Sequence, residues 1–159
     1  METFNLEPRF ENRNSFLVAG LKERYHMPQL EGIPAQWQRF EANIGKVPGQ
    51  IGSSAYGVCF NFDGAGSMDY MCGVEVAGES ELPAAFSQLR IAAQRYAVFS
   101  HRGHISSIGN TWGAILNQWL PASGHTAVIA PQFEAYGKDF DLHSGGGVVE
   151  IWIPIAPES

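Results

Sequence analysis

The sequence predicts a single α+β domain built from a duplicated strand-helix-strand-strand unit. Three observations support this prediction. Two segments have the apolar spacing of amphipathic helices, each is followed by two β-rich segments, and the second set repeats the order of the first. Trp37 matches Trp112 at an offset of 75 residues (112 − 37), and Tyr56 matches Phe133 at 77 (133 − 56). We therefore expect a pseudo-two-fold pair that forms one extended sheet, with one main helix from each half and a groove between the helices.

Length and composition restrict the class of protein. A chain of 159 residues is long enough for one domain to bury about two thirds of its unfolded surface. With 45% apolar and 16% charged residues, the composition is that of a compact globular domain. The net charge of −6 and the absence of a basic stripe argue against direct nucleic-acid binding. No signal peptide or membrane span is evident, so we expect a cytoplasmic location and no membrane contact.

The first half contains one helix between β-rich segments. Residues 16–21 are predicted as a strand after a polar leader, and residues 22–31 as a polar connection. Helical spacing predicts a helix over 33–45. The apolar positions that carry this spacing are Ile33, Trp37, Phe40 and Ile44, with Pro34 near the start and Gly45 as the cap. Residues 56–62 and 68–76 then form a hairpin around a turn at 63–66.

The second half repeats this order after a polar link at 78–83. A strand over 94–100 precedes a helix over 104–120, which ends at Pro121 and Gly124. The apolar stripe of this helix consists of Ile108, Trp112, Ile115 and Trp119. Two strands over 133–136 and 148–155, joined through a loop at 144–147, complete the half. The half-repeats therefore span about residues 5–77 and 84–156.

Several reactive-looking groups have simple structural interpretations. The glycine-rich segments 64–66 and 145–147 do not precede a helix as a phosphate loop requires. Residues 101–104 contain two histidines but lack a third ligand at a suitable spacing, so neither a metal nor a cofactor is expected. Cys59 and Cys72 are expected to be buried, reduced thiols, which would face each other if their strands form a hairpin whose loop is residues 64–67.

The last predicted strand carries one carboxylate, Glu150, inside an apolar run. Because side chains alternate along a strand, Glu150 shares a face with Trp152. The 77-residue offset places Glu150 opposite Gly73, so the second half has a carboxylate where the first has no side chain. Three interpretations remain open: an edge strand with Glu150 in water, a structural ion pair, or a ligand site.

Aromatic residues occupy many positions on the predicted elements, and most are expected in the core. Those that line the groove beside Glu150 would form a site for an organic cation, because rings attract cations and the carboxylate supplies the counter-charge. The candidate ligand-binding residues are Glu150, Trp152, Trp112, Trp37, Tyr56, Phe60, Phe133 and Tyr136.

Four stretches of the chain resemble the GyrI-like small-molecule-binding domain, which is also the effector-binding domain of AraC-type and MerR-type multidrug-responsive regulators. These stretches are residues 99–103, 119–124, 133–136 and 150–155. The resemblance covers nearly the whole chain and implies a concave antiparallel sheet with a drug-binding groove. In multidrug-binding members a buried glutamate among aromatic residues meets the cation, and the resemblance places Glu150 on the matching strand.

The resemblance also implies three functions. Because this domain takes up all 159 residues, with none left for a helix-turn-helix, we expect a stand-alone binder of amphipathic or aromatic organic cations. One alternative is a hydrolase of cyclopropane-bearing toxins that uses the same groove glutamate. A second is a protein-interaction module of the gyrase-inhibitor type, which leaves a protein partner or a homodimer open.

Overall fold

The structure, a computed structural model, describes residues 7–27, 29–78, 82–141 and 144–157. The first six residues of the predicted polar leader and residues 79–81 of the predicted link lie outside this part. The elements are β1 (Arg9–Arg13), β2 (Phe16–His26), α1 (Ile33–Glu41), β3 (Gln50–Phe60), β4 (Ser67–Val76), β5 (Ser87–Ile91), β6 (Gln94–Arg102), a 3-10 turn (Ile105–Ser107), α2 (Ile108–Ala114), a π-helical turn (Ile115–Trp119), α3 (Leu120–Ser123), β7 (Gln132–Phe140) and β8 (Gly147–Ile155).

The eight strands of the described ranges form one antiparallel sheet, in the order β1-β6-β8-β7-β3-β4-β2-β5. The first unit contributes β3-β4-β2 and the second contributes β7-β8-β6, so the units are arranged symmetrically about the central β3-β7 pair. Gly57 on β3 lies directly opposite Glu134 on β7. These residues are 77 positions apart (134 − 57), which is the repeat offset, so the pseudo-two-fold axis passes between them. The predicted α+β fold is confirmed.

The sheet curls strongly around one face. Phe16 on β2 and Phe133 on β7 are three strand positions apart, about 14 Å in a flat sheet. Their ring centroids are 5.6 Å apart, so their face is concave. We call it the inner face. Its buried residues come from seven strands and are Phe16, Val18, Tyr56, Val58, Phe60, Met71, Ile91, Tyr96, Val98, Phe133 and Trp152.

Both helical segments pack on the opposite face, which we call the helix face. Phe40 of α1 is fully buried against β2 and β4, and Ile115 packs with Phe99 and Ile151 in the second half. Gln36 is also fully buried, and its amide donates to the Leu21 carbonyl at 2.8 Å and the Tyr70 carbonyl at 2.9 Å. These two hydrogen bonds fix α1 over β2 and β4.

Some element boundaries differ from the prediction. Residues 22–26, predicted as a connection, continue β2, because its backbone pairs with β4 although most of these side chains are exposed and polar. β7 extends well beyond the predicted 133–136. The second helix is interrupted by the π-helical turn at Ile115–Trp119. None of the helices in the described ranges is long and apolar enough to cross a membrane.

The two cysteines do not face each other across the hairpin. Cys59 lies opposite Tyr70, and Cys72 lies opposite Gly57. Both thiols are free, with Cys72 buried and Cys59 partly buried. The hairpin prediction is therefore right, but the pairing expected for a loop at 64–67 is wrong, because the strands end at Phe60 and begin again at Ser67, which shifts the register.

Candidate functional site

The candidate site lies on the helix face, over the pseudo-two-fold axis. Its centre is Glu134 on β7, and the two matched tryptophans flank it, Trp37 on α1 and Trp112 on α2. Trp37, Trp112 and Glu134 are each partly exposed, whereas Tyr70 and Tyr136 are buried. We call these five residues the axial site. Its position follows from the duplication, because matched helices from the two halves approach the same central pair of strands.

Hydrogen bonds converge on the Glu134 carboxylate. Trp112 Nε1 donates to Glu134 Oε2 at 2.7 Å, and the Tyr136 hydroxyl donates to Oε1. The Tyr70 hydroxyl lies close enough to the carboxylate to lower its pKa, and it accepts a 2.9 Å hydrogen bond from Trp37 Nε1. Both helices are therefore connected to one carboxylate, directly through Trp112 and through Tyr70 from Trp37.

Gly57 makes this convergence possible. A Cβ atom at this position would overlap the Tyr70 hydroxyl and would lie 3.2 Å from Glu134 Oε1. Because Gly57 lies opposite Glu134, the first half leaves open the space that the side chains of Glu134 and Tyr70 occupy. The axis therefore carries one carboxylate instead of two.

The electrostatic environment penalises the ionised form of Glu134. Burial raises the pKa of this carboxyl above its usual range, although the hydrogen bonds from Tyr136 and Trp112 oppose that rise. None of the ion pairs within residues 7–27, 29–78, 82–141 and 144–157 includes Glu134. The axial site thus presents an oriented carboxylate beside aromatic rings, with no Lys or Arg paired to it in these ranges.

The neighbouring acidic groups are held in their neutral forms. Burial raises the pKa of the Tyr70 and Tyr136 hydroxyls well above the usual range, and the nearby Glu134 charge raises them further. Burial also raises the pKa of the Cys59 thiol, and Glu134 again adds to this effect. A protonated thiol is a poor nucleophile, so this environment disfavours covalent chemistry at Cys59.

The eight predicted ligand-binding residues do not lie together. Three are on the helix face, namely Trp37, Trp112 and Tyr136. Five are on the inner face, namely Tyr56, Phe60, Phe133, Glu150 and Trp152. The sheet separates the two groups, because neighbouring residues along each strand point to opposite faces. A single groove lined by all eight is therefore not present.

Glu150 forms an ion pair with Arg9 of β1 at 2.8 Å, and it accepts a hydrogen bond from Trp152 Nε1 at 3.3 Å. β8 lies between β6 and β7, so the edge-strand interpretation is wrong. The ion-pair interpretation matches the structure. A ligand contact by Glu150 stays a prediction, but this carboxylate is not in the groove between the helices.

The residue that the sequence interpretation missed is Glu134, although two signals pointed to it. The 77-residue offset pairs it with Gly57, the same glycine-against-glutamate pattern that drew attention to Glu150. It also belongs to the 133–136 stretch that carries the family resemblance. In the described ranges, no group of three His, Cys, Asp or Glu side chains is arranged to hold a metal ion.

Comparisons with known proteins identify the family of the chain. A family model described as the GyrI-like small molecule binding domain matches residues 6–156. The transcriptional regulator BrlR of Pseudomonas aeruginosa is 28% identical over 156 residues, which are 95% of this chain and 56% of BrlR. The chain thus spans a little over half the length of this relative.

Solved structures share the fold. SAV2435 bound to tetraphenylphosphonium matches with a TM-score of 0.76 and 24% identity, over 94% of each chain. The EcmrR C-terminal domain matches with a TM-score of 0.70 and 15% identity, over 98% of this chain and all of that one. A hydrolase from Listeria innocua matches with a TM-score of 0.58 and 11% identity, over 94% and 92%. At these identities the similarity shows the fold alone.

Proposed function

Because this chain belongs to the GyrI-like small molecule binding domain family, we propose that it binds amphipathic or aromatic organic cations at the axial site. The Glu134 carboxylate is the counter-charge, and Trp37 and Trp112 are the aromatic walls. One observation carries the proposal. Glu134 is partly exposed between two tryptophans, and no ion pair in the described ranges neutralises it.

The energetics of this carboxylate favour a cationic ligand. Folding has already removed part of its hydration, as the raised pKa shows, so a bound cation recovers favourable charge interaction at little further desolvation cost. The hydrogen bonds from Trp112 and Tyr136 hold the carboxylate in one orientation before the ligand arrives. Each ring that faces the cation adds about 0.5–2 kcal/mol of cation–π attraction to the binding free energy.

A structural relative supports the choice of ligand class. SAV2435 was solved with tetraphenylphosphonium bound. This ligand has one delocalised positive charge surrounded by four phenyl rings. A carboxylate between two indole rings can attract the charge, and the indole rings can pack against the phenyl rings. Tetraphenylphosphonium is therefore the natural first probe for the axial site.

The test is a titration of tryptophan fluorescence with tetraphenylphosphonium and with neutral triphenylphosphine oxide. We expect the wild-type protein to prefer the cation and Glu134→Gln to lose about tenfold or more in cation affinity, equivalent to about 1.4 kcal/mol. Glu150→Gln is the matched control, because Glu150 also accepts an indole hydrogen bond but lies on the inner face. Equal affinity for both compounds would reject the proposal, and a loss confined to Glu150→Gln would restore the original prediction.

The hydrolase alternative has one specific observation in its favour. The raised pKa of Glu134 and its hydrogen bond with the Tyr136 hydroxyl suit a general base that activates water. Incubation with a cyclopropane-bearing alkylating compound, followed by mass spectrometry, separates the two functions. Water adducts formed over many turnovers, and lost in Glu134→Gln, would identify an enzyme, whereas stoichiometric, unmodified compound bound to the protein would eliminate the hydrolase alternative. The protein-interaction alternative stays a prediction.

A further inference from the structure

Arg13, the last residue of β1, extends over the aromatic residues of the inner face. Its guanidinium carbon lies 3.7 Å from the ring centroid of Phe16. The corresponding distances are 5.4 Å to Tyr56, 5.6 Å to Trp152 and 5.8 Å to Phe133. Four rings from four different strands therefore surround one positive charge.

Polar contacts complete the surroundings of this guanidinium. Arg13 Nη2 pairs with Glu75 Oε1 at 3.2 Å and donates to the Tyr56 hydroxyl at 3.3 Å. The side chains of Arg13 and Glu75 are 23% and 25% exposed, so this pair lies at the opening of the inner face. We call Phe16, Tyr56, Phe133, Trp152 and Glu75 the inner cage.

The rings of the inner cage pack on one another independently of Arg13. Phe16 and Phe133 meet edge to face, with centroids 5.6 Å apart, and Phe133 stacks on Trp152 at 5.3 Å. Tyr56 also contacts both Phe16 and Phe133. Because strands β2, β3, β7 and β8 hold these contacts, the walls are expected to persist when the arginine side chain is removed.

We propose that the inner cage is a second cation site, selective for planar guanidinium groups, and that Arg13 is its built-in ligand. The separation of 3.7 Å from Phe16 is the contact distance of a flat guanidinium stacked on a ring. Glu75 supplies the counter-charge at the edge. This proposal is independent of the axial site, because the two sites lie on opposite faces of the sheet.

The site has a second contact of the same kind beside it. Arg9, also on β1, lies over Trp152 at 5.6 Å and pairs with Glu150 at 2.8 Å. Both arginines of β1 thus place a cation against a ring and a carboxylate of the inner face. β1 is consequently held to the sheet by its ladder with β6 and by these two side chains.

Replacing Arg13 with a smaller residue tests the proposal. Arg13→Ala should leave a gap that ethylguanidinium, a soluble copy of the arginine head group, fills. At low millimolar concentration we expect ethylguanidinium to raise the Tm of Arg13→Ala by at least about 2 °C. The Tm of the wild-type protein should not rise, because Arg13 already fills the cage. If Arg13→Ala shows no cooperative transition alone, its restoration by ethylguanidinium is the supporting result.

Matched controls separate this effect from general stabilisation. Ethylurea has a similar shape without the charge, and tetramethylammonium has the charge without the planar group, so neither should give the full rise. Arg24→Ala removes an arginine that pairs with Asp69 at 3.0 Å with no ring over its guanidinium in the described ranges, and ethylguanidinium should not raise its Tm. Equal rises with ethylurea or in Arg24→Ala, or no rise in Arg13→Ala, would overturn the proposal.

Arg13→Lys provides a second variant that keeps the charge. An ammonium group lacks the flat face that stacks on Phe16, so we expect a lower Tm than for the wild-type protein. A Tm equal to that of the wild-type protein would show that the cage has no preference for a planar cation, and would reject the proposed selectivity.

Discussion

Glu134 and Glu150 lie on adjacent strands, and each accepts a hydrogen bond from an indole N–H, at 2.7 Å and 3.3 Å. Their faces differ. Glu150, on the inner face, has Arg9 at 2.8 Å, whereas no cation pairs with Glu134 within the described ranges. A carboxylate beside a tryptophan is therefore not evidence of a ligand site by itself. A carboxylate that the fold pairs with an arginine, such as Glu150, has a structural role. A carboxylate without such a partner in the described ranges, such as Glu134, is a candidate for binding a ligand.

The two halves show a second difference at the axis. The second half contributes Glu134 and the first contributes Gly57, directly opposite. A symmetric pair of carboxylates there would repel each other, and one of them would be driven to take up a proton. The asymmetry leaves one negative charge between two matched tryptophans, which suits a ligand with one positive charge.

The largest expected effect comes from filling the space at Gly57. Gly57→Ala places a methyl group on the Tyr70 hydroxyl, and we expect a loss of about 1–3 kcal/mol in the free energy of unfolding together with weaker cation binding. Urea unfolding and calorimetric titration measure the two effects. A Tyr70→Phe background removes the overlap with the hydroxyl and leaves the ring Cζ at 3.0 Å, so the same substitution should cost less. An equal cost in both backgrounds would show that Tyr70 does not occupy this space.

Local sequence patterns predict some features of this site and miss others. Trp37 and Trp112 were predicted on matching helices because apolar residues recur at helical spacing on each side of them. β1 and β5 were missed, since segments such as Arg9–Arg13 are mostly polar and exposed and become strands through pairing with distant partners.

The choice between the two carboxylates depended on information that the sequence does not carry locally. Both glutamates lie in short apolar and aromatic segments, so residue chemistry treats them alike. Only the sheet order and register show that Glu134 points toward the helices and Glu150 toward β1. The Arg9 partner of Glu150 comes from the opposite end of the chain, and no local pattern predicts that contact.

A smaller effect is expected for the stability of Glu134→Gln, with a defined dependence on pH. Because the folded-state pKa of Glu134 is raised, the folded protein loses stability as pH rises through that pKa, and the glutamine variant does not. The free energy of unfolding of Glu134→Gln, relative to wild type, should therefore increase from pH 4.5 to pH 8. Urea unfolding at several pH values measures this difference, and a decrease over the same range would contradict the raised pKa.

The smallest effect is expected at Glu150. The side chains of Glu150 and its partner Arg9 are 33% and 45% exposed, so solvent screens most of the attraction between them. We expect Glu150→Gln to change the free energy of unfolding by less than about 1 kcal/mol, and to leave tetraphenylphosphonium binding unchanged. Thermal unfolding at low and high salt checks the first expectation. A large loss of stability would show that this pair is more than a surface contact.

The most direct test of Glu134 as the counter-charge of the ligand is the proton linkage of cation binding. A bound cation favours the ionised carboxylate, so binding should release protons near the free-state pKa of Glu134, and affinity should fall as pH drops through it. Calorimetry with tetraphenylphosphonium from pH 4.5 to 8, in two buffers of different ionisation enthalpy, measures both. We predict proton release in the wild-type protein and in Glu150→Gln, and none in Glu134→Gln. An affinity independent of pH in all three proteins would contradict the account.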